Sequence, residues 1–273
     1  MSKDHRTNKP KGRFFRPQRG TQSPSARLKL AGGLWLFGLH AVRAALLNPE
    51  RVKKRLICTA EALRALEGAL PAGLAVEATE RAALDATLPT GTVHQGVALL
   101  VEPLPEVTVG DIARSASLRP KSVVLALDQV TDPHNVGAVL RSAAGLGALA
   151  VLITDRHAPA ETGTLAKAAS GGLEAVPLVR VVNLARAILE LKAEAGFRLL
   201  GLDAAAETTL AAAAKGERTL LVLGSEGEGM RRLVKESCDQ LVRLPMVGSG
   251  PVDSLNVSNA AAIALYEMVR LED

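Results

Sequence analysis

The pattern of hydrophobic and polar positions divides the chain into four stretches. Residues 1–33 have almost no apolar periodicity and contain much Pro, Gly, Gln and Arg, which predicts a disordered tail. Residues 34–103 alternate short apolar strands with short helices and predict a small αβ domain. Residues 104–120 are predicted to form a linker around a short helix. Residues 121–273 are predicted to form a second, larger domain.

The larger domain alternates buried strands with helical patterns. Its first strand, 122–128, is a continuous apolar run that ends in an acid, which is typical of a parallel strand buried on both faces. Further strands are predicted at 149–154, 176–181, 197–202, 219–223 and 240–244, and helices at 134–146, 162–170, 184–194, 229–236 and 257–270. This alternation predicts an α/β fold with a mostly parallel, doubly wound sheet.

Composition limits the class of protein. A hydrophobic content of 48% supports sizeable cores, and no apolar run is long enough to span a membrane. The start of the chain is basic and polar, so we expect no signal peptide. The two cysteines lie far apart and the five histidines are scattered, so we expect no metal. These features together predict a cytoplasmic protein.

Positive charge is concentrated in the tail. Residues 1–30 hold nine of the 33 Lys and Arg residues but only one of the 28 Asp and Glu residues. Such a tail indicates a polyanionic partner, RNA or DNA, although a solubilising function explains it equally well. Aromatic residues make up only 2% of the chain, which argues against a platform that stacks bases.

The first of three loops with candidate chemistry follows the strand 122–128. Asp132-Pro133 fits the cap and the first position of a helix. Arg141 is then expected to lean back toward the loop, with small residues such as Gly137 leaving room for a ligand. A capping role for Asn135 and an ordinary ion pair for Arg141 are the alternative interpretation.

The second loop contains three glycines, Gly224, Gly227 and Gly229, after a buried strand, and glycine lets backbone approach a ligand closely. Its spacing fits neither a Walker loop nor a dinucleotide fingerprint. Carboxylates at Glu226 and Glu228 would repel a pyrophosphate, so a neutral or cationic ligand such as a sulfonium fits better. For Glu228, a stabilising position near a helix N-terminus is the preferred explanation.

The third loop runs from Leu244 into the last helix and is unusually rich in hydroxyl and amide groups. Asn256 is predicted to cap the helix, and Asn259 three residues later accounts for a second polar group. Ser254 has no such structural task, yet no His or acid is patterned to activate it as a nucleophile. Because ligands bind beyond the carboxyl ends of parallel strands, we expect the three loops to form the walls of one site.

Together the three loops resemble the motifs of the SpoU (TrmH) family of RNA ribose 2′-O-methyltransferases, which belongs to the SPOUT class. The matching segments are Asp132-Pro-His-Asn-Val-Gly-Ala-Val-Leu-Arg-Ser, Gly224-Ser-Glu-Gly-Glu-Gly-Met, and Pro245-Met with Ser254-Leu-Asn-Val-Ser. The resemblance covers residues 121–273. It implies a knotted α/β domain, S-adenosylmethionine as the methyl donor and a homodimer.

The first domain adds a second resemblance. Phe37-Gly-Leu-His-Ala-Val, Asn48-Pro-Glu-Arg-Val and His94-Gln-Gly-Val are similar to the L30e-like RNA-binding domain that precedes the catalytic domain in the RlmB subgroup. That subgroup methylates a guanosine of 23S ribosomal RNA. The same chemistry on tRNA and a non-catalytic RNA-binding role in ribosome assembly remain alternatives.

The resemblance also assigns site residues. It implies a catalytic set made of Asn135, Arg141, Glu226, Ser254 and Asn256. It implies cofactor contacts at Gly224, Leu244, Met246, Leu255 and Gly229. The family gives the role of base to the position of Arg141, but a guanidinium is a poor base, so we expect it to position the RNA.

The sequence departs from the family pattern in two places. The segment 248–253 is about two residues longer than expected, and Asn259 stands where a small aliphatic residue is expected. Both departures concern the loop geometry around Ser254.

Overall fold

The structure is a computed structural model that describes residues 33–156, 158–213, 216–248 and 254–270. The tail predicted for residues 1–33 lies almost wholly outside these described residues, and so does most of the lengthened segment 248–253.

Residues 33–101, here called the N-terminal lobe, form a four-stranded sheet with three helices. The elements are β1 (Leu34–Phe37), α1 (Leu39–Leu47), β2 (Lys53–Cys58), α2 (Ala60–Ala65), β3 (Ala75–Ala78), α3 (Arg81–Thr87) and β4 (Val97–Val101). The strand order is β1-β4-β2-β3, with only β2 and β3 parallel. The N-cap of α3 is Glu80, whose side chain makes no capping hydrogen bond.

Residues 109–270, here called the C-terminal lobe, form a six-stranded sheet with helices on both faces. The elements are α4 (Val109–Ser117), β5 (Ser122–Leu127), α5 (Pro133–Gly145), β6 (Ala150–Thr154), α6 (Gly163–Ala169), α7 (Gly172–Ala175), β7 (Leu178–Val181), α8 (Leu184–Ala195), β8 (Arg198–Leu202), β9 (Arg218–Leu223), α9 (Arg232–Ser237), β10 (Gln240–Val242) and α10 (Val257–Val269). All its strand pairs are parallel, which confirms the predicted sheet. Within the described ranges, no helix is long and apolar enough to cross a membrane.

Three elements differ from the sequence prediction. Helix α9 begins at Arg232 rather than at residue 229, because the preceding residues fold into a hairpin. The four-residue helix α7 was not predicted. Helix α4 lies within the expected linker 104–120 but packs against α8, so the connection between the lobes is shorter than that range.

The strand order creates a crevice at the middle of the sheet. In the order β10-β8-β9-β5-β6-β7, the chain moves from β5 to β7 on one side and returns to β8 and β9 on the other. The order therefore reverses between β5 and β9, and ligands bind at such switch points beyond the carboxyl ends of the strands. The loops after these two strands are the first two loops with candidate chemistry.

Candidate functional site

The start of α5 forms the first wall of the crevice. The Asp132 carboxylate accepts a hydrogen bond from the backbone N–H of His134 at 2.9 Å, and Pro133 takes the first helical position. Both predicted capping roles are thus confirmed. With the cap supplied by Asp132, the amide of Asn135 is left to make contacts outside the helix.

Glu226 is the centre of a hydrogen-bond network that joins the three loops. Its Oε1 atom accepts bonds from Nδ2 of Asn256 at 2.7 Å, from the backbone N–H of Val257 at 3.3 Å and from Nδ2 of Asn135 at 3.4 Å. Asn256 Nδ2 also donates to Asn135 Oδ1 at 3.0 Å. Three residues that are 30 to 121 positions apart in sequence therefore share one polar cluster.

Asn256 uses both ends of its amide. Its Oδ1 accepts a bond from the backbone N–H of Ser258 at 2.9 Å, which confirms it as the N-cap of α10. Its Nδ2 group is the donor to Glu226 and Asn135. One side chain of the third loop therefore both caps the last helix and joins the polar cluster. Helix α10 also packs against α5, which carries Asn135.

The loop after β9 folds back on itself as a tight hairpin. Ser225 and Gly229 exchange two backbone hydrogen bonds of 3.0 and 3.2 Å. A Cβ atom on Gly224 would lie only 2.1 Å from the carbonyl carbon of Gly229, so nothing larger than glycine fits there. Gly229 has a φ of +69°, which disfavours other residues. The hairpin carries Glu226 at its exposed tip.

Two residues that the sequence analysis did not assign to the site anchor this hairpin. The fully buried Asp128 carboxylate accepts bonds from Nε of Arg231 at 2.8 Å and from its backbone N–H at 2.7 Å. An ion pair of 2.6 Å to Nη2 of Arg231 completes the contact. The available signal was an apolar strand that ends in an acid, followed about a hundred residues later by an arginine at the close of a glycine loop.

Arg141 lies on the exposed face of α5. Within the part of the chain that the structure describes, its guanidinium has no hydrogen-bond or ion-pair partner, so the alternative of an ordinary ion pair does not hold there. Gly137, by contrast, does not leave room for a ligand. A Cβ atom there would lie 2.5 Å from Cβ of Ala168 and 2.8 Å from the carbonyl oxygen of Leu165, so α6 already fills that space.

The expected cofactor residues lie along the same edge. Leu244 and Leu255 are half-buried, Met246 is 39% exposed, and Leu244 packs against the apolar core that supports the crevice. Ser254 is exposed at the start of the segment that leads into Asn256, and Asn259 is exposed on α10. The hairpin explains why glycine stands at positions 224 and 229, and it already engages both the N–H and the carbonyl oxygen of Gly229.

Comparison with known proteins identifies the family of this site. A family model described as the SpoU rRNA Methylase family matches residues 122–266, more than half of the chain and all three loops. The chain belongs to the SpoU rRNA methylase family. A second model, described as RNA 2′-O ribose methyltransferase substrate binding, matches residues 35–107, which include the whole sheet of the N-terminal lobe except Leu34.

Named relatives cover both lobes. The 23S rRNA (guanosine-2′-O-)-methyltransferase RlmB of Pasteurella multocida is 39% identical over an alignment of 246 residues that covers 86% of this chain and 97% of that protein. The crystal structure of the SpoU methyltransferase AviRb from Streptomyces viridochromogenes is 26% identical, with a TM-score of 0.72 over 88% of this chain and 89% of that one. AviRb has also been solved with the cofactor AdoMet, at 24% identity and a TM-score of 0.72 over 86% and 89% of the two chains. The family and the SPOUT-type fold expected from the sequence are confirmed.

The donor groups of the crevice fit a methyl-sulfonium ligand better than a metal. The carboxylate of Glu226 offers one negative charge, the hairpin offers backbone groups, and Leu244 and Leu255 offer apolar contact. Among the described residues, no group of three or more His, Cys, Asp or Glu side chains is arranged to hold a metal ion.

Proposed function

We propose that this protein transfers a methyl group from S-adenosylmethionine to the ribose 2′-hydroxyl of a guanosine in 23S ribosomal RNA. The observation that carries the proposal is the network of Glu226, Asn256 and Asn135 at the switch point of a SpoU-family sheet. The relatives that are named as 23S rRNA guanosine-2′-O-methyltransferases support the substrate, since they match both lobes.

The methyl donor would lie against the hairpin and the third loop. Gly224, Leu244 and Leu255 would hold it mainly through backbone groups, with Met246 and Gly229 beside them. When bound, S-adenosylmethionine supplies a methyl carbon that carries the electron deficiency of a sulfonium. The hairpin is fixed by Asp128 and Arg231 before any ligand arrives, and such preorganisation reduces the cost of aligning the reactants.

Arg141 is proposed to hold the RNA. An exposed guanidinium without an acidic partner among the described residues is available to a phosphate, which it can contact with two N–H groups at once. The same charge stabilises the 2′-oxygen as its negative charge develops. A role as general base is secondary, since a guanidinium is a poor base.

Glu226 and Ser254 are proposed to orient the ribose. The Oε1 atom of Glu226 is engaged by Asn256, Asn135 and Val257, whereas Oε2 has no hydrogen bond from a described residue. Oε2 can therefore accept a bond from a ribose hydroxyl while Oε1 keeps the carboxylate in place. Ser254, at the mouth of the third loop, would approach the reacting hydroxyl from the other side.

The domain organisation, the oligomeric state and the location of the protein are also proposed. The family likeness supports a knotted C-terminal lobe, an L30e-like N-terminal lobe for residues 34–103 and a methyltransferase domain for residues 121–273. A homodimer is supported by α10, which exposes Ile263 at 47% and Tyr266 at 58% on its outer face. Action on ribosomal RNA also fits a cytoplasmic location, and the basic tail fits a contact with RNA phosphates.

The proposal predicts a specific loss of activity for Arg141→Ala. Methyl incorporation from labelled S-adenosylmethionine into 23S RNA should fall by about 100-fold or more, because a group that binds developing charge is lost. Affinity for S-adenosylmethionine, measured by calorimetry, should stay the same.

The matched control is Arg186→Ala, an exposed arginine on α8 that lies apart from the three loops and whose side chain has no partner among the described residues. This variant should methylate normally. Full activity of Arg141→Ala would show that the site assignment is wrong. A protein that binds RNA but not S-adenosylmethionine would favour the alternative of a non-catalytic assembly factor.

A further inference from the structure

The three segments of the N-terminal lobe that resemble the L30e-like domain, which begin at Phe37, Asn48 and His94, lie against the C-terminal lobe. A Cβ atom on Gly163 at the start of α6 would lie 2.3 Å from Cε1 of Phe37, and one on Gly171 would lie 3.1 Å from Cβ of Ala44. The lobes therefore touch so closely that Gly163 has no space for a side chain and a side chain at Gly171 would be tightly packed.

The segment that begins at His94 stabilises this contact. Gln95 has a φ of +54° and its Oε1 accepts a bond from the backbone N–H of Leu39 at 3.0 Å. A Cβ atom on Gly38 would lie 3.4 Å from the same Oε1 and 3.2 Å from Cγ of Lys167 on α6. The turn at Gln95 thus holds the start of α1 against α6.

Arg51 closes the contact with a buried ion cluster. Its side chain is fully buried, with Nη1 at 2.7 Å from Oε1 of Glu161 and Nη2 at 2.7 Å from Oε1 of Glu174. Nη1 also donates to the carbonyl oxygen of Glu102 at 2.9 Å, and Asn48 Nδ2 donates to Glu174 at 2.8 Å. One arginine of the N-terminal lobe therefore binds two carboxylates of the C-terminal lobe.

The cluster is tight enough to hold the lobes in one arrangement. Burial by itself lowers the pKa of Arg51, but the hydrogen bonds and charges of Glu174 and Glu161 outweigh it and leave that pKa raised. Removing one partner of such a buried cluster leaves charge without compensation, which is strongly unfavourable. This cluster of Arg51, Glu161 and Glu174 is here called the clamp. Apolar packing also holds the lobes together, since one core cluster includes Leu36 of β1 and Leu140 of α5.

Glu174 connects the clamp to the proposed catalytic helix. It lies on α7, whose first residue, Gly172, packs on α5 so closely that a Cβ atom there would be 2.5 Å from the carbonyl oxygen of Leu140 and 2.9 Å from the backbone nitrogen of Arg141. A short chain of direct contacts therefore runs from Arg51 to the backbone of Arg141.

We infer that Arg51 is a positioning residue for methyl transfer, which clamps the N-terminal lobe so that RNA held there presents its ribose at a fixed place relative to Arg141. The inference rests on the proposed function. Without the ion cluster, only the glycine and apolar contacts and the connection between β4 and α4 would hold the lobes, so RNA bound to one lobe would sample more positions relative to the other. The clamp therefore acts on the rate of transfer rather than on binding of either ligand.

The test compares Arg51→Ala with Arg55→Ala in the full chain. Arg55 is an arginine of the same lobe that pairs with Glu77 within that lobe. At saturating RNA and S-adenosylmethionine, the single-turnover rate on 23S RNA should fall by about 10- to 100-fold for Arg51→Ala and stay unchanged for Arg55→Ala. Affinities for both ligands should change by less than about threefold.

In the same variants, the distance between the lobes is measured between spin labels attached at Glu67→Cys and Glu194→Cys. The labelled protein is diluted with unlabelled protein so that only distances within one chain are seen. Both positions are exposed. The native thiols stay unlabelled, because Cys58 is buried and burial, with the charge of Asp239, raises the pKa of Cys238 to about 12. The distance distribution should be narrow in the wild type and in Arg55→Ala and broad in Arg51→Ala.

A full transfer rate in Arg51→Ala, or a narrow distance distribution in it, would overturn the inference. A merely stabilising residue would lower the melting temperature but leave the rate of the folded fraction unchanged. If Arg51→Ala does not fold, Glu161→Ala is used instead, because it removes only the partner that is 22% exposed. Its transfer rate should fall and its distance distribution should broaden, both by less than expected for Arg51→Ala. If neither changes, the clamp is contradicted. If wild-type protein transfers no methyl group to 23S RNA, the proposed function fails, whereas the distances still report on the clamp.

Discussion

At the scale of single residues, the site depends on side chains that do two things at once. Asn256 caps α10 with its oxygen and holds Glu226 with its nitrogen. The sequence predicted the cap, because an Asn before an apolar helical run has a local signature. It could not predict the bond to Glu226 from spacing alone, since the two residues meet only after the sheet has formed.

Asn256→Asp should separate these two functions. An Asp keeps the cap but replaces the donor to Glu226 with a second carboxylate, so stability should change little while methyl transfer falls by about 10-fold or more. Thermal unfolding and single-turnover kinetics measure the two effects.

Asn183→Asp is the matched control, because Asn183 caps α8 in the same way through a bond from the backbone N–H of Arg186 at 3.1 Å. It should leave both quantities near wild type. Normal transfer by Asn256→Asp would mean that the bond to Glu226 has no part in the reaction.

At the scale of elements, close contacts between neighbouring elements fix the crevice. The hairpin after β9 is tied to the end of β5 by Arg231 and Asp128, and α5 lies directly on α6 at Gly137. Strand and helix periodicity predicted these elements but not their contacts. It also placed the start of α9 three residues too early, because the turn of the glycine hairpin resembles a helix start in sequence.

Asp128→Asn should loosen the hairpin. The variant loses a charge-assisted contact worth about 2 kcal/mol, so affinity for S-adenosylmethionine should fall by about 10-fold or more in calorimetry. Asp203→Asn is the control, since Asp203 follows β8 and pairs with Lys235 of α9. It should lower stability slightly without changing that affinity. Unchanged binding by Asp128→Asn would exclude the hairpin anchor from the cofactor site.

Gly137→Ala tests the contact between α5 and α6. The added Cβ would press on Ala168 and on backbone, so the free energy of unfolding should fall by about 1–3 kcal/mol. Gly145→Ala in the same helix meets no heavy atom within 4 Å and should stabilise by up to about 1 kcal/mol. Denaturant unfolding measures both changes, and equal stability of the two variants would contradict the packing described for α5.

At the scale of the whole molecule, the sequence predicted the α/β alternation and the family, because each of the three loops carries a local motif that can be recognised in the sequence alone. The relation between the lobes was not predictable in this way. The segment around Arg51 resembled part of an RNA-binding domain, and only the structure places its side chain against Glu161 and Glu174. A buried ion cluster across two lobes leaves no periodic signal, since Arg51 is more than a hundred residues from either carboxylate.

The most direct measurement is a map of ribose 2′-O-methyl groups in RNA from cells that lack this protein and from cells that express it again. The account predicts that one guanosine of 23S ribosomal RNA loses its methyl group, and that the wild-type chain but not Arg141→Ala restores it. Unchanged 23S RNA together with loss of a ribose methyl group from a tRNA would contradict the proposed substrate. Unchanged methylation of every RNA would contradict the proposed activity.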